Sequence, residues 1–516
     1  MPESLFDGLN LLLNNLWLVP VGVLAGMFYG GMPGLTSSGT LAMLLPVLIV
    51  ISPVQGLILG VSMYAGAEMG NSFPSVMLNI PGTPAGAVTA FDGYPMMQKG
   101  EASRALGICI MASTVGAIMA GIAALAFAPS IAQVALKFGS PEICIVIIFG
   151  LAVIAQLSVG GLAKGLLSGF VGLSLATTGT DPTFGQFRGT FDITYLFDKL
   201  PIVAVLVGLL GLSEALFHAE SGATTLLRRD EKHAPHDLSA AKIWQGLKTG
   251  FMDVLRMPAQ CIRAGIIGLG IGAVPGAGGS VATFIAYQQA IASASPERKK
   301  MFRKGAHEGL IAADASNNAM VGGALIPVLT LGIPGSAAMA VLIAVMDYHG
   351  LSLGPRLFSV NGDVAYAVIL SQFFAAFFIL VIGTGLAFLA YRTVAVDLRL
   401  IIPIVAVFCL IGSFAEHNYI FDMGMMVLFA CIGYIMKKYD FSVVGILMGV
   451  ILGPMFEAEL MRSLRMGFGS PKIFFESAIT QILWALFILT FAVPPALRYI
   501  KRYKNKRRLK KSTDAA

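Results

Sequence analysis

The sequence predicts an all-α polytopic membrane protein, made of two inverted structural repeats whose broken or re-entrant helices meet near the bilayer midplane. Of its 516 residues, 56% are hydrophobic and only 12% are charged, whereas a soluble domain averages about 25% charged residues. Apolar segments recur along the chain, and several are shorter than the roughly 20 residues of a full span. Proline-glycine pairs interrupt apolar segments at corresponding places in the two halves, a pattern typical of discontinuous membrane helices.

The first interruption lies between Gly30 and Thr40, inside an apolar segment of residues 16–51. Backbone that is freed at bilayer depth is tolerated only where it is buried in protein or lines a polar cavity. The pairs that mark the four interruptions are Pro33-Gly34, Pro81-Gly82, Pro275-Gly276 and Pro334-Gly335. We therefore expect four helices to begin again within the membrane.

The motifs follow the same order in both halves, which predicts a structural repeat. The helix after the first interruption ends at Ser52-Pro53, and its counterpart ends at Ser295-Pro296. The loop at 52–56 has no charge, whereas the equivalent loop at 295–304 is strongly basic. Since basic loops stay in the cytoplasm, the equivalent loops are expected on opposite sides of the membrane, as in an inverted repeat.

Composition divides the chain into five segments. The net charge of +7 lies largely in the C-terminal tail, so it indicates a cytoplasmic end rather than nucleic-acid binding. The predicted segments are a first transmembrane repeat (1–217), a polar linker on the cytoplasmic side (218–250), a second transmembrane repeat (251–460), a C-terminal span (461–497) and a basic cytoplasmic tail (498–516).

A helix that begins within the membrane presents unpaired backbone N–H groups and the positive end of its dipole, which together favour an anion. Small and hydroxyl residues at each start would let an oxygen-rich ligand approach. The candidate substrate-binding residues are Pro33, Gly34, Thr36, Ser37, Ser38, Pro81, Gly82, Thr83, Pro275, Gly276, Gly278, Gly279, Ser280, Pro334, Gly335 and Ser336. The alternative is that these residues serve only helix packing and kinks.

Oxygen-bearing side chains near the interruptions are candidate ligands for a small cation, because hard cations prefer oxygen. The candidate sodium ligands are Asn71, Ser72, Asn318 and Thr330. The acidic residues nearest the interruptions are Glu68 and Asp314. Acids inside a membrane are functional candidates, and the alternative is that both lie at the water interface.

The sequence gives no sign of an enzyme. It has no phosphate-binding Gly-Lys-Ser/Thr loop, no nucleophile elbow and no His-Glu-x-x-His motif. Its six histidines have no i, i+4 pairing, and its five cysteines have no metal-type spacing. We expect no cofactor other than a coupling cation.

Several motifs together resemble the large membrane subunit of the tripartite tricarboxylate transporters, the TctA family. The resemblance covers about residues 15–360. It lies in Gly31-Met32-Pro33-Gly34-Leu35, Leu78-Asn79-Ile80-Pro81-Gly82-Thr83-Pro84, Asp92-Gly93-Tyr94, Pro275-Gly276-Ala277-Gly278-Gly279-Ser280, Ser316-Asn317-Asn318-Ala319 and Leu331-Gly332-Ile333-Pro334-Gly335. It implies a place in the binding region for Asn79, Thr83, Asn317 and Asn318.

The resemblance also implies a multi-pass permease of the bacterial inner membrane. Its partners would be a small membrane subunit and a periplasmic solute-binding protein. Its substrate would be a di- or tricarboxylate such as citrate. The import would be coupled to a cation, for which the resemblance implies sodium. The resulting hypothesis is a secondary transporter that works by alternating access. The alternatives are an anion channel and a membrane scaffold subunit of a transport complex.

Overall fold

The computed structural model describes residues 2–32, 35–81, 83–156, 158, 160–181, 185–220, 239–390 and 398–491. In these residues the chain is almost entirely α-helical and has several apolar helices, which confirms the predicted all-α polytopic class. The helices of the first half are α1 (Pro2–Asn14), α2 (Leu18–Gly30), α3 (Ser37–Val50), α4 (Pro53–Gly70), α5 (Ser72–Leu78), α6 (Pro84–Gln98), α7 (Ala102–Ala135), α8 (Ser140–Gln156) and α9 (Leu162–Ala176).

Residues 179–220 form several short elements that follow α9 and complete the first half. They include a two-stranded antiparallel hairpin, in which Gly179 pairs with Arg188. The elements are β1 (Gly179–Thr180), β2 (Phe187–Arg188), a 3-10 turn (Thr194–Leu196), α10 (Ile202–Leu206), a π-helical segment (Val207–Leu212) and α11 (Ser213–Glu220).

The second half begins with a helix inside the predicted linker. Its elements are α12 (Ala240–Arg256), α13 (Pro258–Gly272), α14 (Gly278–Ser293), α15 (Pro296–Lys299), α16 (His307–Leu331), α17 (Ala337–Tyr348), α18 (Arg356–Val360), α19 (Gly362–Ala390), α20 (Leu398–His417), α21 (Ile420–Lys438), α22 (Val443–Met466), α23 (Ile473–Glu476) and α24 (Ala478–Phe491).

The predicted segment boundaries fall inside helices. Residue 217 lies within α11, residue 250 within α12 and residue 460 within α22. Residues 221–238 of the predicted linker and the whole predicted tail lie outside the described residues. Residues 240–250 of the predicted linker form the first part of α12, an amphipathic helix that buries Ile243 and Leu247.

Helix length and composition identify the membrane-crossing elements. In the described part of the chain, α7, α19, α21 and α22 are long and apolar enough to cross a membrane alone. Two further candidates are bent pairs, α1–α2 at 67° and α12–α13 at 79°. Other apolar helices, including α3, α8, α9 and α17, are shorter, as the short apolar segments of the sequence predict.

The two halves repeat the same contacts. Helix α2 packs on α4 as α13 packs on α16, and α1 packs on α19 as α12 packs on α7. Likewise, α3 contacts α17 and α14 contacts α6. The correspondence extends to helix boundaries: Ser52 and Ser295 precede α4 and α15, each with proline at the first helical position.

Glycines allow the closest of these contacts. A Cβ at Gly26 of α2 would lie 2.1 Å from the Met63 carbonyl oxygen of α4. A Cβ at Gly268 of α13 would lie 2.2 Å from the Ser316 carbonyl oxygen of α16. Small residues at both crossings therefore hold the backbones in contact, as is usual between membrane helices.

Candidate functional site

The candidate site lies where α4 and α5 cross α16. The Asn318 amide donates to the Ala65 carbonyl oxygen at 3.1 Å, and the Asn317 amide donates to the Glu68 carbonyl oxygen at 3.1 Å. Further along, the Ser72 hydroxyl donates to the Asp314 carboxylate. Along this series the partners in α4 and α5 move toward the C-terminus while the partners in α16 move toward the N-terminus. The corresponding helices of the two halves therefore run antiparallel.

Six polar side chains are buried at this crossing, which we call the polar cluster: Glu68, Asn71, Ser72, Asp314, Asn317 and Asn318. Asn71 donates to the Glu68 carboxylate at 3.5 Å, while Thr89 of α6 donates to Asp314 at 3.2 Å. No lysine or arginine of the described residues pairs with either acid. Both acids are at least 95% buried within the protein, so neither side chain is exposed at the protein surface.

Three amide oxygens in the polar cluster have no hydrogen-bond donor among the described residues. They are the Oδ1 atoms of Asn71, Asn317 and Asn318, and all three are buried. A buried acceptor without a donor is costly, and native proteins rarely keep one without a reason. Such neutral oxygens beside a carboxylate form a donor set that suits a hard cation.

Two of these oxygens face the start of a helix. A Cβ at Gly86, in the first turn of α6, would lie 2.8 Å from Asn71 Oδ1. A Cβ at Gly279, in the first turn of α14, would lie 2.5 Å from Asn317 Oδ1 and 3.5 Å from the Ala85 Cβ. The starts of α6 and α14 therefore lie side by side, each against one asparagine.

Of the other two helix starts, one faces the polar cluster directly and one contacts Tyr64 beside it. Ser37, the first residue of α3, faces the Glu68 carboxylate. Ser336, which precedes α17, accepts a hydrogen bond at 3.0 Å from the hydroxyl of Tyr64, one turn before Glu68 on α4. The Gly276 N–H donates to the Gly335 carbonyl oxygen at 3.0 Å, which joins two of the interruptions directly. Four helix starts thus surround one buried centre.

The hydroxyls at three of these starts cap their helices. Thr36 accepts from the Gly39 N–H at 3.1 Å, Thr83 from the Gly86 N–H at 3.2 Å and Ser336 from the Met339 N–H at 3.3 Å. Each cap satisfies one N–H and leaves the first N–H groups of the helix without an intrahelical partner. Anion binding would therefore depend mainly on backbone N–H groups and the helix dipoles.

Comparison with known proteins identifies the family. The profile described as "Tripartite tricarboxylate transporter TctA family" matches residues 16–448. The chain belongs to the TctA family. It is 31% identical over 481 residues to a 52.8 kDa protein in the TAR-I ttuC' 3' region of Agrobacterium vitis, which covers 93% of each chain. A shorter protein in the TAR-II ttuC' 3' region of the same organism is 25% identical over 230 residues, 44% of this chain and 94% of that protein.

Membership in the TctA family makes the chain a multi-pass membrane component of a tripartite tricarboxylate transporter. TctA proteins work with the other components of that system. The buried polar cluster is thus a feature of a transporter subunit, in which polar side chains inside the membrane commonly mark a substrate or ion pathway.

Two predicted site residues lie away from the polar cluster. Asn79 is exposed and ends α5 with φ of 57°, so its position is explained by a left-handed cap, which asparagine tolerates. Thr330 is twelve residues beyond Asn318 on α16, about 18 Å along the helix, and donates to the Ile326 carbonyl oxygen. Neither residue joins the other candidate ligands in this structure.

The remaining candidates divide into those at the interruptions and those that are not described. Pro275, Pro334, Gly276, Gly278 and Ser280 lie at or beside the starts of α14 and α17, and Pro81 and Ser38 lie beside those of α6 and α3. Pro33, Gly34 and Gly82 lie outside the described residues.

Sequence reasoning missed Tyr64, Thr89 and Gly86. Tyr64 lies four residues before Glu68, on the same face of α4, which was an available signal. Thr89 and Gly86 follow the Thr83 cap on α6, but a single helical threonine or glycine gives no indication of its partner on α16.

A third buried acid, Asp92, lies on α6 close to the polar cluster, three residues beyond Thr89. Asp92 of α6 accepts from the Tyr287 hydroxyl at 2.8 Å and from the N–H groups of Gly305 and Ala306 at 2.9 and 2.8 Å. It thereby ties α6 to α14 and to the basic loop before α16. These contacts explain Asp92 of the Asp92-Gly93-Tyr94 motif as a structural link between elements of the two halves.

Proposed function

We propose that this chain is the permease subunit of a cation-coupled secondary transporter that imports a small di- or tricarboxylate. Four helix starts around one buried centre carry the proposal. Their N–H groups and dipoles suit carboxylates, and they hold an anion without a salt bridge, which eases its release. The unpaired asparagine oxygens beside Glu68 suit a sodium ion in the same centre.

The residues present fit a sodium ion. Glu68 would supply the negative charge, and Asn71, Asn317 and Asn318 would supply neutral oxygens. Ser72 would act through Asp314, to which its hydroxyl already donates. A bound cation would add positive charge near the helix starts and so strengthen carboxylate binding, which is the simplest physical basis for coupling.

Alternating access is supported by the way in which the two halves meet. Corresponding helices cross antiparallel at the polar cluster, and the contacts of the first half recur in the second. An inverted repeat with these properties can expose the same centre to either side by equivalent movements. We therefore propose that the inverted-topology prediction holds.

The family supports the remaining parts of the proposal. We propose that the chain lies in the bacterial inner membrane, beside a small membrane subunit, and receives its carboxylate from a periplasmic solute-binding protein. Exposed apolar residues on α19, such as Phe377 and Val381, would contact lipid.

Uptake by proteoliposomes tests this function. The chain is reconstituted with its partner subunits, and uptake of a panel of labelled carboxylates is measured under a sodium gradient. We expect Asn318→Ala and Ser280→Ala to abolish uptake with expression intact. Matched controls on the same helices, Thr330→Ala and Ser293→Ala, should transport normally because both residues lie away from the polar cluster. Near-normal uptake by both site variants would contradict the proposal.

Counterflow separates a transporter from a channel. Vesicles preloaded with unlabelled carboxylate should accumulate labelled carboxylate transiently if the protein exchanges substrate across the membrane. A channel would instead give conductance without exchange or sodium coupling. If all variants of the polar cluster transported normally, the chain would be a scaffold for transport by another subunit.

A further inference from the structure

A second cluster of titratable side chains lies where α20 meets α21, far from the polar cluster in sequence. Nδ1 of His417 lies 2.9 Å from the Asp422 carboxylate and 4.0 Å from Oε2 of Glu416. One ligand atom from each of the three residues lies within 4.8 Å of the others. We call this group the α20–α21 triad.

The triad is short of positive charge. The side chains of Glu416 and Asp422 are only 6% and 3% exposed. Among the described residues, their only cationic partner is His417, which can offer at most one positive charge against two carboxylates. Buried charges are normally paired or bound to a metal.

Glu416 also aims an unused oxygen at the triad. Its Oε1 accepts from the Val203 N–H at 3.4 Å, whereas its buried Oε2 has no donor among the described residues. Oε2 is the atom that faces His417. A buried acceptor of this kind needs a partner, and a cation would supply it.

Aromatic contacts hold the triad in place. The ring of Tyr419 stacks on His417 with centroids 6.1 Å apart, and Tyr195 stacks on Phe421 with centroids 5.2 Å apart. The α20–α21 connection is therefore fixed against the 3-10 turn and the start of α10. His417 is 48% exposed, so an ion in water can reach the site.

We propose that Glu416, His417 and Asp422 form a site for a first-row divalent metal ion, with zinc as the best fit. One imidazole nitrogen and two carboxylate oxygens are ligands that zinc accepts, and a fourth position would be left for water. Ligand atoms bound tetrahedrally to zinc at about 2.1 Å lie about 3.4 Å apart, which is within the separations of 2.9 and 4.0 Å seen here. The site joins α20 and α21 to the start of α10.

The charge at the other end of α21 indicates the side that this site faces. Lys437 and Lys438 end the helix and pair with Glu214 and Glu220. Because basic residues at the end of a span favour the cytoplasm, the triad at the start of α21 faces the extracytoplasmic side.

Metal content tests the proposal without any transport measurement. Full-length, tag-free protein in detergent is treated with chelator, dialysed against zinc and measured by mass spectrometry. We expect about one zinc ion per chain for the wild type and a loss of at least about tenfold in affinity for Glu416→Gln and His417→Ala. His349→Ala, which changes a histidine outside the triad, should bind zinc like the wild type.

Cobalt gives a second readout of the same site. Co²⁺ in place of zinc should produce the visible absorption of a tetrahedral ion in the wild type and in His349→Ala, but not in Glu416→Gln. Glu416→Gln keeps the size of the side chain, and its thermal unfolding in chelator should match that of the wild type, which controls for misfolding. A wild type without bound metal, or a Glu416→Gln variant that binds zinc normally, would overturn the proposal.

Discussion

Asn71 and Asn317 occupy corresponding positions in the two halves, and each directs an amide oxygen at a glycine in the first turn of a helix. Their oxygens have no donors among the described residues, although both amide groups donate: that of Asn71 to the Glu68 carboxylate in the same half, and that of Asn317 to the Glu68 carbonyl oxygen across the crossing. Each side chain thus donates one hydrogen bond and presents an oxygen toward the centre. This double use explains why asparagine, rather than serine or alanine, stands at both positions.

Gly279 has no room for a side chain beside the polar cluster. In Gly279→Ala the new methyl group would lie 2.5 Å from Asn317 Oδ1, so it would displace the oxygen or the start of α14, at a cost of about 1–3 kcal/mol. We expect carboxylate uptake to fall at least about tenfold, since 1.4 kcal/mol corresponds to a factor of ten. Gly270→Ala is the matched control, because nothing lies within 4 Å of a Cβ there. Equal uptake by the two variants would contradict this assignment.

The sequence predicts which residue types lie at the site, but not which of them cap helices and which could bind a ligand. It identifies Asn71 and Asn318 as oxygen-bearing side chains near the proline-glycine interruptions, and Asn317 through the family motif. It does not predict that the hydroxyls of Thr36, Thr83 and Ser336 cap their own helices, because capping and ligand binding require the same residue types at a helix start.

At the scale of the element, the interruptions marked by Pro81-Gly82 and Pro334-Gly335 are flanked in the same way. Asn79 ends α5 with φ of 57°, and Gly332 ends α16 with φ of 70°. Four residues later, Thr83 and Ser336 cap the next helices. In both halves, therefore, a residue in the left-handed conformation ends one helix, and a hydroxyl side chain four residues later caps the N-terminus of the next helix.

Asn79 separates a structural role from a binding role. We expect Asn79→Gly to retain the wild-type KM for the carboxylate, because glycine adopts the left-handed conformation without strain. Asn79→Val should lower stability by about 1–2 kcal/mol, since a side chain of this kind is strained there. Thermal unfolding and initial uptake rates measure the two effects. If Asn79→Gly raised KM strongly, its amide would be a substrate ligand after all.

Element boundaries were predictable where proline and glycine mark them and unpredictable where polarity alone was available. The helix starts at Ser37, Pro84, Gly278 and Ala337 follow the interruptions closely. Helix α12, in contrast, lies partly inside a segment interpreted as a loop, because its charged residues obscure an apolar face. The α20–α21 triad was also missed, since His417 has acidic partners rather than a second histidine.

At the scale of the whole molecule, the crossing of α4 and α5 with α16 sets the arrangement of the halves. Lys99 after α6 donates to the carbonyl oxygen of Lys304 before α16, so two basic loops from different halves lie at one end. At the start of α4, a Cβ at Gly56 would lie 3.3 Å from Val345 near the end of α17. Loops that are not equivalent in sequence meet at each end, as an inverted repeat requires.

Equivalent serines test this inversion. Ser52→Cys and Ser295→Cys place single cysteines at corresponding exposed positions before α4 and α15, on a background in which the exposed Cys431 is replaced by alanine. We expect a membrane-impermeant thiol reagent to label residue 52 from the periplasm and residue 295 only from the cytoplasm. Labelling of both from the same side would exclude the inverted arrangement.

The architecture was more predictable than the centre it encloses. Ordered motifs and the charges of equivalent loops indicate two related halves, because both signals are local in sequence. The unpaired oxygens could not be predicted, since they depend on which neighbours approach Asn71, Asn317 and Asn318 across the crossing. That information arises only when distant segments pack.

The most direct test of the account is the sodium dependence of carboxylate uptake in proteoliposomes at fixed pH. For the wild type we predict uptake in sodium and little in potassium. For Asn317→Ala we predict at least an approximately tenfold higher sodium concentration at half-maximal rate, the effect of losing about 1.4 kcal/mol of ion binding. Equal wild-type rates in sodium and potassium, or an unchanged sodium dependence in Asn317→Ala, would contradict the assignment of the polar cluster as the coupling site.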